Sequence, residues 1–190
     1  MTKTKLIAFT ALFCAISVLL NSTFLSFTLT ASQKVSFTLA WSFLAGVALG
    51  PWCGFAVGFL GDLLGSLVFG EGGAYLPLIG IGAGLAGMIP GILFRIRRGN
   101  VYVKAAISLV LVFVICTAGF NSLGIYLAFI RGKNTFFAWM IARLPLQAAV
   151  TGINFAVEIL LSLLLARVKT PLQDAFRPFL KKGDPAEKSE

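Results

Sequence analysis

Six polar residues toward the C-terminal end of the chain stand at spacings that place them on one face of a helix. Arg143, Gln147, Thr151, Asn154, Glu158 and Ser162 follow one another at intervals of 4, 4, 3, 4 and 4 residues, which keeps step with a period of 3.6. The run they interrupt is otherwise apolar, and another charge, Asp62, stands inside a second apolar run. A charge at the centre of a bilayer costs roughly 3 kcal/mol on insertion scales. The stripe therefore faces the interior of a bundle or a partner protein rather than lipid. Guanidinium, amide and carboxylate groups in that position suit the binding of a charged, hydrogen-bonding ligand. They do not suit hydrolysis. The chain has no histidine, the commonest general base and a common metal ligand. Cys14, Cys53 and Cys116 are far apart and lack metal or disulfide spacing. Asp62 and Glu158 lie on different helices at different depths with no nucleophile beside them, which leaves an acid-pair enzyme a poor alternative. No G-x-x-x-x-G-K-[ST] is present, so the chain does not hydrolyse ATP through a P-loop. The expectation is no catalysis, no metal, no cofactor and no nucleic-acid partner.

The elements that position this stripe are membrane spans. Of 190 residues, 58% are hydrophobic and 12% charged, and the mean hydropathy is +0.92. That is the composition of a polytopic membrane protein. At roughly 20 residues per span the sequence predicts an all-α protein of six transmembrane helices. They cover about Thr4 to Leu25, Val35 to Leu49 (short, half tucked into the bundle), Trp52 to Phe69, Pro77 to Phe94, Val101 to Ile130 and Phe136 to Ala166. Residues 1–167 form one transmembrane substrate-binding domain, and 168–190 form a cytoplasmic tail, part of it at the membrane surface. Both termini are cytoplasmic, because 12 of the 16 basic residues lie at the N-terminus, in the loop after span four and in the tail. The breaks at 26–36, 70–76 and 131–135 face outward.

Fourteen of the 20 glycines fall between Gly46 and Gly91. Gly46, Gly50, Gly54 and Gly58 repeat every four residues, as do Gly61 and Gly65, Gly80 and Gly84, and Gly87 and Gly91. In a membrane this spacing lets helices approach closely. Ala11 and Ala15 offer a similar small-residue face on span one. Around the outward half stand Lys34, Arg131, Asn121 and several aromatic residues, among them Tyr75, Phe120, Tyr126 and Trp139. The residues thus describe a pocket, cationic at its rim and aromatic within, for a planar organic anion.

These features resemble the substrate-binding S component of energy-coupling factor (ECF) transporters, within them the folate-specific type. The resemblance is carried by Ala11-Leu12-Phe13-Cys14-Ala15, Gly50-Pro51, Gly61-Asp62-Leu63-Leu64-Gly65, Gly73-Ala74-Tyr75-Leu76-Pro77 and Arg143-Leu144-Pro145-Leu146-Gln147, and it covers about residues 4–167. It implies a protein of the bacterial plasma membrane that binds a vitamin from outside. Such a protein joins a transmembrane coupling protein and two ATPase subunits, whose ATP hydrolysis topples it to carry the vitamin inward. The alanine face, Ala11 and Ala15, is where such proteins dock on the coupling protein. For folate, Arg143, Lys34 or Arg131 would meet the carboxylates; Asn121, Gln147 and Asp62 can hydrogen-bond the pterin; Trp139, Tyr75 or Phe120 can stack on it. Riboflavin, thiamine or pantothenate as ligand, or a passive channel, are the alternatives.

Overall fold

The computed structural model describes residues 3–21, 27–30, 33–35, 37–69, 75–96, 99–131, 135–168 and 172–180, with the segments 27–30 and 33–35 described by backbone alone. The chain folds as a helical bundle: α1 (Lys3–Leu20), α2 (Thr38–Leu49), α3 (Pro51–Phe69), α4 (Pro77–Arg95), α5 (Val101–Ile130) and α6 (Phe136–Arg167). A short α7 (Gln173–Phe176) and a 3-10 turn (Arg177–Phe179) follow. Among the described residues five helices, α1, α3, α4, α5 and α6, are long and apolar enough to cross a membrane.

The expected second span differs. Val35 belongs to a strand, and α2 begins only at Thr38. Its 12 residues rise about 18 Å, short of the roughly 30 Å of a hydrocarbon core. Seven of them are buried, so α2 is enclosed by its neighbours. The fold is all-α but for one short strand pair among the described residues. Between α1 and α2, Phe27–Thr30 (β1) and Gln33–Val35 (β2) form an antiparallel hairpin in which Phe27 faces Val35 and Thr28 faces Lys34. Phe27 and Leu29 alternate with Thr28 and Thr30, a period of two that suits a strand. The first helix correspondingly ends at Leu20 rather than Leu25.

Glycine sets the spacing of the central helices. A methyl group on Gly54 would lie 2.6 Å from Gly46 Cα and 2.9 Å from the Gly87 carbonyl carbon, and one on Gly91 would lie 2.7 Å from Pro51 Cα. Here α2, α3 and α4 meet backbone to backbone, an approach that only missing side chains allow. Gly50, at φ +100, makes the turn from α2 to α3 and lies beneath the Arg95 side chain. α2 is seven residues shorter than the 19-residue α4, about 10 Å, and Gly46 packs level with Gly87 and Gly91.

α5 runs unbroken from Val101 to Ile130, with π-helical turns over Val112–Asn121 and Tyr126–Ile130. Arg131 N–H, for instance, donates to the Tyr126 carbonyl five residues back. α6 continues through Pro145, whose ring leaves the Ile141 carbonyl without its helical donor.

After α6 the chain turns back into the bundle, where the sequence led us to expect a segment on the membrane surface. Phe176 and Phe179 are 0% and 1% exposed and share a core with Phe43, Leu44, Leu49, Ala105 and Ala166. Phe179 stacks on Phe94 at 5.5 Å, its carbonyl accepts from Tyr102 Oη at 3.0 Å, and Gln173 Nε2 donates to the Ala166 carbonyl. This strap closes the end of the bundle opposite the hairpin.

Candidate functional site

The polar stripe of α6 faces inward as its spacing predicts. Arg143, Thr151, Asn154, Glu158 and Ser162 are all buried, and Gln147 is half-buried. Thr151 Oγ1 donates to the Gln147 carbonyl and Asn154 Nδ2 to the Val150 carbonyl, so part of the stripe satisfies itself on its own helix.

Arg143 is different. It is 7% exposed, it lies over the Trp139 ring at 5.2 Å, and its Nε and Nη1 have no hydrogen-bond partner. A cation over an aromatic face is attracted by the ring's quadrupole, but that contact leaves the N–H groups in the guanidinium plane open. A structural bridge to Asp62 would occupy them. Trp139 touches Tyr126 of α5, at 6.2 Å between centroids, and Tyr126 touches Phe136 at 5.1 Å. The guanidinium thus sits against aromatic residues near the hairpin end of α5 and α6.

A second group forms where α3 meets α4. Asp62 is half-buried on α3. Tyr75 precedes α4, and its phenol is pushed up, first by burial and then by the charge of Asp62. Its Oη is buried without a hydrogen-bond partner, in a notch that any side chain on Gly80 would fill, beside the Phe59 ring. Asn121 lies on the face of α5 that meets Gly82 of α4. Lys34 is placed on β2 by its backbone, and its side chain lies outside the described residues, as does Gly73-Ala74 of the motif before Tyr75. The structure therefore sets Arg143 against Trp139 and Tyr75 within the electrostatic reach of Asp62. Phe59 and Gly80 were not singled out from the sequence, although Gly80 opens a glycine pair on α4.

Ala11 and Ala15 face outward, not into the bundle. They line an open groove of roughly 650 Å³ between α1 and α3, together with Thr10, Cys14, Trp52 and Ala56. Its walls carry no charge, so it cannot hold an anion; it can receive an apolar helix.

Comparison with known proteins identifies this arrangement. A structure of FolT bound with folic acid matches with a TM-score of 0.68 and 26% sequence identity, covering 83% of this chain and 92% of that chain. No curated protein sequence matches. Residues 5–162 match the family described as ECF transporter, substrate-specific component, and since that match spans most of the chain, the protein belongs to the substrate-specific components of ECF transporters.

Proposed function

We propose that this protein binds folate at the hairpin end of its bundle and delivers it for ATP-driven uptake. The observation that carries the reading is Arg143, a buried guanidinium with open N–H groups over Trp139, in a fold shared with FolT bound with folic acid. Folate's glutamate tail is a dianion and its pterin is flat. Arg143 meets a carboxylate, with Lys34 nearer the rim; Trp139 stacks. Asp62, Tyr75, Asn121 and Gln147 supply hydrogen bonds to the pterin.

The six helices of residues 1–167 make up the substrate-binding domain, with α2 as the incomplete sixth crossing. Residues 168–190 and the N-terminus lie in the cytoplasm of a bacterial cell, and the hairpin end faces out. A coupling transmembrane protein docks in the groove at Ala11 and Ala15, and two ATPase subunits supply the energy. Ala11→Trp or Ala15→Trp therefore spares vitamin binding and abolishes uptake; normal co-purification of the coupling protein with either variant would refute the docking site.

Titration of the purified protein tests the ligand. Folate should saturate below micromolar concentrations. Arg143→Ala should weaken it by roughly 10- to 150-fold, the loss of about 1.5–3 kcal/mol for charge-assisted hydrogen bonds, and weaken a pterin without the tail far less. Saturation by riboflavin, thiamine or pantothenate in place of folate would change the vitamin and leave the class intact.

A further inference from the structure

The inner half of α6 carries three buried oxygen groups that folate binding at the hairpin end does not use. Glu158 is 2% exposed, Asn154 1% and Ser162 0%. Glu158 Oε2, Asn154 Oδ1 and Ser162 Oγ all lack a hydrogen-bond partner. The three stand four residues apart, where helical side chains are neighbours at about 5–6 Å between Cβ atoms. Helical side chains lean toward the helix N-terminus, so Ser162 leans onto Glu158 and Glu158 onto Asn154. The cations of the same helix are remote. Arg143 lies fifteen residues away, about 22 Å along the axis, and Arg167 nine residues the other way, about 13 Å. Arg167 is exposed.

A bare carboxylate in that position costs several kcal/mol of lost hydration. Neither flanking side chain donates to it in the structure: Asn154 Nδ2 donates to the Val150 carbonyl, and Asn154 Oδ1 and Ser162 Oγ stand without partners. Three oxygens able to accept, one of them carrying a negative charge, suit a single small, hard positive charge. We propose that Glu158, Asn154 and Ser162 form an internal site for one monovalent cation, either a proton shared between Glu158 and Asn154 or a sodium ion held by the three oxygens. The site lies below the vitamin pocket and is separate from it. Its occupant makes the inner half of α6 electrically neutral, which lets the helix lie against α2 and α5 within hydrocarbon.

The sequence contains four glutamates, Glu71, Glu158, Glu187 and Glu190, so isotope labelling of glutamate narrows the carboxyl bands to these four, and a variant retaining only Glu158 (Glu71→Gln, Glu187→Gln, Glu190→Gln) leaves its band alone. Infrared spectra of the labelled wild type in choline chloride should show a protonated-carboxyl band that Glu158→Gln lacks, or a sodium-dependent carboxylate band. If sodium chloride leaves the protonated band in place, the occupant is the proton. If sodium removes it, or raises the melting temperature of the wild type but not of Glu158→Gln, the occupant is sodium. The labelled variant that retains only Glu158 keeps the test valid should Glu158→Gln fail to fold. An ionised Glu158 whose spectrum and melting temperature ignore sodium overturns the proposal.

Discussion

The helices α2, α3 and α4 and the helix α6 are both buried in one bundle, but they are held by opposite means. The first three meet through absent side chains, with Gly54 and Gly87 at backbone contact. α6 meets the bundle through a polar face, several of whose atoms have no protein partner. In a membrane, lipid competes as well as another helix for apolar side chains, so close backbone approach is what fastens a helix firmly. A polar face fastens only as far as its groups are satisfied. The contrast separates a rigid frame from a helix kept for what it binds, and Arg143 sits on the latter.

Substitutions can break or sharpen this contrast. The largest effect is expected at Gly87→Val: a side chain there collides with the backbone of α3, and the variant should fail to give monodisperse folded protein; a normal melting temperature would show that α3 and α4 can part. Next is Phe179→Ala, which empties a place in the strap's core and should cost about 3–5 kcal/mol, read as a lower thermal midpoint with folate affinity retained. Tyr102→Phe removes the hydroxyl that donates to the Phe179 carbonyl and should cost about 1 kcal/mol. The smallest is Gly152→Ala on α6. A methyl group there meets nothing within 4 Å, so the variant should gain about 0.5–1 kcal/mol from reduced backbone entropy in the unfolded chain. A loss at Gly152 as large as that at Gly87 would erase the distinction between the two regions.

The sequence made some of this plain. Spacing of four identified the glycine contacts, because one residue type suffices to permit close approach. The stripe from Arg143 to Ser162 was legible because its period names its face whatever it packs against. The strap escaped notice, although Leu172, Phe176 and Phe179 stand at i, i+4 and i+7, because prolines and charges around them suggested surface. In the sequence the hairpin reads as a polar break, because its threonines hide the alternation with Phe27 and Leu29. That Tyr75 settles over Gly80 beside Phe59 depends on how α3 and α4 pair, which no local pattern encodes.

The strap also imposes an order on synthesis. Among the described residues, Phe176 and Phe179 are the last of the core to leave the ribosome, well after the helices they seal against. Until they emerge, Phe94 and Tyr102 wait at an unsealed end, so the nascent protein can finish assembly only once its closing segment is released from the exit tunnel.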